Sequence, residues 1–214
     1  MFSQAQVAVL IGFSGVGKSY LAKAFHHFEV IDTDRYIAEN YFKSALKQLF
    51  LELPAGADRK PVLEKIEAAE RRFLEEWDPK PKSQTIIAAG PAIPTRMPHW
   101  QSFLERTAAT VLYLKATPEL IEKRLLHRQE NELSKYRGHP NAQAWNVGIS
   151  SEFVHNGYRR LPLHEIRSNI RIRLEANQPY YEKFANRTFN CELLENATGQ
   201  EIEEFRNSVM AALT

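Results

Sequence analysis

Apolar residues in this chain follow two rhythms. Short runs rich in Val, Ile, Leu, Phe or Thr read as strands at Gln6–Gly12, Glu29–Ile31, Thr85–Ala89, Thr110–Leu114 and Thr188–Cys191. Longer amphipathic stretches read as helices at Gly17–Phe28, Arg35–Leu51, Val62–Trp77, Pro118–Glu130, Ile166–Asn186 and Gln200–Leu213. This alternation predicts an α/β protein, with five parallel strands in a sheet covered by helices on both faces.

Two segments interrupt the alternation. Leu53–Pro61 collects Pro, Gly, Ala and Asp and reads as a loop between two helices. Glu130–Arg160 is polar, with Gly, Pro, Asn and Ser scattered through it and no sustained period. A loop of that length in a compact domain is usually functional or disordered, and mobile lids belong to the first group. The 214 residues are expected to form one domain over 1–214.

Composition narrows the function classes. Hydrophobic residues make up 43%, enough for an ordinary core, and the net charge of +2 gives no global basic field for nucleic acid. The single cysteine, Cys191, leaves no internal disulfide and no thiolate metal site, and it fits a reducing compartment. The seven histidines show no His-x-x-x-His spacing, so no zinc site is expected. Trp77, Trp100, Trp145 and the Tyr180–Tyr181 pair read as packing residues. The apolar N-terminus lacks a positive leader and a cleavage site, so it reads as a strand rather than a signal peptide. No apolar run reaches the ~18 residues of a membrane span. A soluble, cytoplasmic protein is expected, without nucleic-acid or membrane partners. The oligomeric state is left open, a monomer being plausible.

That chemistry is announced by Gly12-Phe13-Ser14-Gly15-Val16-Gly17-Lys18-Ser19, a complete phosphate-loop pattern between a strand and a helix. Glycines let backbone amides turn inward where side chains would block a phosphate. The helix starting near Gly17 points its positive end at the anion. Lys18 reaches the outer phosphates and the Ser19 hydroxyl can ligate Mg²⁺. Gly12, Ser14, Gly15, Val16, Gly17, Lys18, Ser19 and Tyr20 are therefore the expected ATP-binding residues.

Other motifs decide which kind of phosphate-loop protein this is. The guanine-specific Asn-Lys-x-Asp element is missing, and neither Thr85–Ala89 nor Thr110–Leu114 ends in the carboxylate of motor-type ATPases. The acidic pair instead follows the second strand, in Ile31-Asp32-Thr33-Asp34. Residues two apart on an extended segment point the same way. One aspartate can then face a metal and the other a substrate hydroxyl, with Asp34 accepting its proton. Helix capping by one of the pair is the competing explanation.

The phosphate loop followed by Ile31-Asp32-Thr33-Asp34 resembles the shikimate kinase family. Val111-Leu112-Tyr113-Leu114 with Thr117-Pro118-Glu119 and Arg124-Leu125, then Arg160-Leu161-Pro162-Leu163, then Pro179-Tyr180-Tyr181, extend the resemblance over most of the chain. It implies a three-layer α/β/α kinase, similar to nucleoside monophosphate kinases. An acceptor-side region would span about 35–80 and a closing lid about 128–165. It further implies Mg²⁺ held by Ser19 and Asp32, phosphate bound by Lys18, acceptor contacts at Asp34 and Gly90, and Arg160 or Arg159 closing over the transferring phosphate.

Departures cluster on the acceptor side. Leucine (Leu74) follows the Phe of Glu70-Arg71-Arg72-Phe73, where the family carries a carboxylate-gripping arginine. A second such arginine is replaced by Asn177, and the family's triple glycine reads Gly90-Pro91-Ala92. Two lost charge-assisted contacts would cost about 1.5–3 kcal/mol each. Arg173, four residues before Asn177, shares its helix face and is a candidate substitute, as are Arg71 or Arg72 after a register shift; solvation of their own helices is the competing explanation. The extra length falls around Phe42–Ala68 and Glu130–Gly157, where an acceptor would enter. The expectation is an ATP-dependent kinase acting on a small hydroxylated metabolite, shikimate or another. A regulatory nucleotide-binding module without activity is the alternative. A nucleoside monophosphate kinase, with Arg71, Arg72 and Arg96 on the acceptor phosphate, is a third reading.

Overall fold

The computed structural model describes residues 6–25, 27–136, 138–139, 141–142, 149–154, 157–194 and 199–213. His26, Trp145, His155 and parts of the stretch between 130 and 157 lie outside them. Five strands form a parallel sheet: β1 (Gln6–Ile11), β2 (Glu29–Asp32), β3 (Gln84–Ala88), β4 (Thr110–Lys115) and β7 (Arg187–Asn190). Their order is β2-β3-β1-β4-β7. In β1, Val7 to Ile11 are all buried, because helices cover both faces and no alternation is needed.

One helical layer holds α1 (Lys18–Ala22) and α8 (Gly199–Leu213), joined by the Phe25–Phe205 ring contact. The other holds α4 (Lys60–Glu76), α5 (His99–Thr107) and α7 (Leu163–Phe184). Trp100 of α5 stacks on Phe103 and meets Phe184 edge-on, while Phe103 meets Phe73 of α4. The result is the three-layer α/β/α architecture with a central five-stranded parallel sheet. Tyr181 is buried against Tyr113 of β4, whereas Tyr180 is exposed.

Several elements differ from the sequence expectation. The helix expected at Gly17–Phe28 stops at Ala22, because Phe25 and Phe28 turn into the core through short backbone hydrogen bonds. The helix expected over Arg35–Leu51 is broken. It begins as α2 (Thr33–Ile37), widens to a π-turn over Ala38–Phe42, stops at Lys43 and resumes as α3 (Leu46–Leu51). Lys43 takes a left-handed φ of 58°, which ends the helical ladder there. The polar segment after Glu130 is not all loop. Helix α6 (Pro118–Lys135) runs five residues further than expected, and β5 (Ser151–Val154) pairs antiparallel with β6 (Gly157–Arg160). Helix α5 escaped the sequence reading because nine residues carry too few turns for a clear period.

Candidate functional site

The segment between β1 and α1 is built around backbone that only glycine tolerates. Gly12 has φ 143°, and a Cβ there would stand 2.5 Å from the Leu114 carbonyl oxygen. Gly17 caps α1 from the left-handed region at φ 105°. From α6, Arg124 braces the loop by donating to the Gly15 and Val16 carbonyls at 3.3 and 3.0 Å. Lys18 is 9% exposed, and its Nζ donates to the Gly12 and Phe13 carbonyls at 2.8 and 2.9 Å. Burial lowers its pKa to about 8, against the opposing pull of Asp34 and Asp32.

Asp32 serves two ends at once. Its Oδ1 caps α2 by accepting from the Arg35 amide at 3.2 Å, and its Oδ2 accepts from the Ser19 hydroxyl. The capping role weighed from sequence is therefore real and coexists with the Ser19 contact. Ser19 and Asp32 put two hard oxygen donors together beside the loop, a fit to Mg²⁺, which takes few protein ligands and completes its shell with phosphate and water. Among the described residues no cluster of three or more His, Cys, Asp or Glu offers a metal cage. Tyr20 lies on the surface at 66% exposure, and its amide bonds the Gly17 carbonyl within α1.

Asp34 stands where two cavities meet. A wide cleft of about 1670 Å³ runs from Ser19, Asp32 and Asp34 along the edge strand β2, and a tighter cavity of about 390 Å³ opens on the other side. Asp34, Leu46 and Arg128 line both. The Asp34 carboxyl reaches solvent through the cleft, yet the crowding protein pushes its pKa up, with Asp32 adding to the push and Lys18 opposing it. Gly90 packs against it: a Cβ at Gly90 would meet the Asp34 Oδ1 at 3.0 Å, and the Gly90 amide donates to Thr33 Oγ1 at 2.8 Å.

The arginines sort cleanly. Arg71 donates to Glu67, Arg72 to Glu76 and Arg96 to Glu70, so all three are committed to ion pairs. Arg173 lines the smaller cavity, and burial lowers its pKa. Arg160 is exposed on β6 opposite Ser151 and lines neither cavity, while Arg159 pairs with Glu152.

Four residues of this region went unseen in the sequence. Arg128 of α6 stands at the rim shared by both cavities. Arg59, the N-cap of α4, lines the smaller one beside Arg173; burial, then the Arg173 charge, hold its pKa down to about 10. Glu70, 6% exposed, also lines that cavity, and burial pushes its carboxyl up to about 7 in spite of Arg96 at 2.9 Å. Gln129, 4% exposed, lines it too, and among the described residues its buried Nε2 has no hydrogen-bond partner. The only sequence signal for Gln129 was a polar residue four positions after Leu125, on the inward face of α6.

No protein-family model matches the chain, and no curated protein matches it. Solved structures do. A shikimate kinase from Bacteroides thetaiotaomicron superposes with a TM-score of 0.61 at 22% identity, covering 97% of this chain and 98% of that one. Shikimate kinase from Acinetobacter baumannii, solved in complex with shikimate, gives 0.58 at 20% identity over 98% and 93%. The Aquifex aeolicus shikimate kinase gives 0.54 at 15% identity over 96% of each chain. The likeness establishes the architecture.

Proposed function

We propose that the protein transfers the γ-phosphate of ATP to a hydroxyl of a small metabolite, with Asp34 as the residue that meets the hydroxyl. The position of Asp34 carries this reading: it lies close enough to Lys18 for their charges to interact and lines both the wide cleft and the smaller cavity. A phosphate in the Gly12–Ser19 loop and an alcohol in the cavity would then meet over one carboxylate.

In this reading Ser19 and Asp32 hold magnesium, which when bound neutralises charge on the phosphate chain. Lys18 exchanges a loop carbonyl for a phosphate oxygen and steadies the charge that shifts during transfer. The Asp34 carboxylate accepts the acceptor's O–H proton as the oxygen–phosphorus bond forms and the bond to the departing ADP breaks. Arg128, at the shared rim, is placed to stand over the transferring group. Arg160 would join only if the β5–β6 hairpin moved. Shikimate remains one acceptor to be tested among several.

A panel of hydroxylated metabolites, including shikimate, gluconate and nucleotides, tests the reading through ATP turnover with magnesium. Asp34→Asn is expected to lower acceptor-dependent turnover at least a hundredfold while leaving ATP affinity within a few-fold. Equal turnover in Asp34→Asn would remove Asp34 from the chemistry. Tight ATP binding with no turnover on any acceptor would favour the inactive binding module instead.

A further inference from the structure

Asp34 has no tether of its own. Among the described residues its carboxyl makes no hydrogen bond and no ion pair, and only longer-range charges from Asp32, Lys18 and Arg128 act on it. The Asp32 cap fixes the backbone of α2, but the side chain beyond it is placed by whatever it touches. What it touches is Gly90: a Cβ there would stand 3.0 Å from the Asp34 Oδ1, closer than side chains normally pack. The turn after β3 is therefore the wall that decides where this carboxyl stands.

The backbone of that wall is bonded within the protein. The Gly90 amide donates to Thr33 Oγ1 at 2.8 Å, and the Gly90 carbonyl accepts from the Ile93 amide at 3.1 Å. Pro91 has no N–H, and its carbonyl accepts from the Tyr181 hydroxyl at 2.8 Å. No backbone donor is left at Gly90 or Pro91 for an arriving molecule. The pair acts through its position, which is held from α2 by Thr33 and from α7 by Tyr181.

Tyr181 is suited to that hold. It lines neither cavity, and its buried ring leans on Tyr113 at 5.3 Å. Burial pushes its pKa up, so the hydroxyl keeps its proton and remains a donor. Asn177, one turn earlier on α7, hydrogen-bonds the same hydroxyl. A hydroxyl bonded on both sides has one orientation, and this one points at Pro91. Asn177 also lines neither cavity, so its side chain serves the tyrosine rather than a ligand.

We propose that Tyr181 is a positioning residue for Asp34: its hydroxyl, oriented by Asn177, holds the Pro91 carbonyl, and the Gly90 backbone so fixed sets the place of the Asp34 carboxyl. The inference rests on the kinase reading for what Asp34 does there, whereas the mechanical link from Tyr181 to Asp34 is independent of turnover. A group that meets a hydroxyl during transfer must stand within about 0.5 Å of its productive place, which an untethered carboxyl reaches only against a fixed wall.

Crystal structures of the full chain, wild type against Tyr181→Phe, test the link directly. The turn at Gly90–Pro91 and the Asp34 carboxyl are expected to move together by about 0.5 Å or more. Tyr113→Phe, which removes the hydroxyl of the neighbouring ring, should leave both in place. With the best acceptor from the metabolite panel, Tyr181→Phe should lower kcat about tenfold and keep both KM values within about twofold. Tyr113→Phe should keep the wild-type kcat, and adding Tyr181→Phe to Asp34→Asn should cost nothing more. Should Tyr181→Phe fail to fold, Asn177→Ala replaces it, withdrawing a bond from the same hydroxyl while leaving the ring. The proposal is overturned if the Asp34 carboxyl stays in place, if Tyr113→Phe moves it as far, or if the acceptor KM rises with kcat unchanged. A displaced carboxyl in a protein that phosphorylates nothing leaves the link standing and removes the kinase reading. Asp34-dependent turnover that Tyr181→Phe leaves intact does the reverse.

Discussion

Single side chains in this protein are held away from their ordinary ionisation, and Glu70 is the clearest case. It faces Arg96, Glu67 and Asp34, yet burial outweighs the arginine and its carboxyl titrates near 7 rather than 4.5. The folded chain therefore keeps a proton on Glu70 between pH about 4.5 and 7, where the unfolded chain has released it. Stability from this group is present below that window and is lost as pH rises through it. The difference corresponds to about 3 kcal/mol. Denaturant unfolding of the wild type and Glu70→Gln at pH 5 and pH 8 checks this: the wild type should lose more stability on going to pH 8, by that order. An equal pH dependence in both proteins would show that Glu70 titrates normally. Asp32 and Asp34 were legible as a pair in the sequence because they sit in one tetrapeptide beside a strand end. Glu70, Arg59 and Gln129 were not, because they meet only where α4 and α6 each turn one face toward the same space.

At the scale of elements, the segment leading into the β5–β6 hairpin borders the smaller cavity, which the proposed function assigns to the acceptor. Ile149 and Ser150, just before β5, line the cavity. Tyr158 of β6 packs against the Phe50–Val62 cluster and donates to the Ala57 carbonyl at 3.0 Å. Asn141 adds a bond from Nδ2 to the Leu53 carbonyl at 2.5 Å. These contacts fasten the segment expected to be a lid onto the loop between α3 and α4. A single neutral hydrogen bond contributes about 1 kcal/mol. Tyr158→Phe is therefore expected to raise the KM for the acceptor about fivefold and leave the KM for ATP nearly unchanged in steady-state kinetics. An equal rise in both constants would place the hairpin over the nucleotide instead. The hairpin itself was hidden because its strands are four residues each and its sequence is polar. The broken helix after Asp34 was hidden for a related reason: a π-turn and a left-handed Lys43 leave no mark on hydrophobic periodicity.

For the molecule as a whole, the sheet was the most legible feature. Each of its five strands falls within one residue of its expected limits; in β1, β3 and β4 this follows from burial, since a buried parallel strand needs an unbroken apolar run. The strand order sets the loop after β1 between the ends of β3 and β4, with Asp32 and Asp34 two strands away. Among the described residues no helix is long and apolar enough to cross a membrane. The organisation stands or falls on the phosphate loop gripping a nucleotide, and calorimetric titration of the folded chain with ATP and magnesium tests that most directly. Saturable binding at one nucleotide per chain is expected, weakened at least tenfold in Lys18→Ala and reduced when magnesium is withheld. A correctly folded wild-type protein that gives no measurable binding of ATP with magnesium would contradict the account.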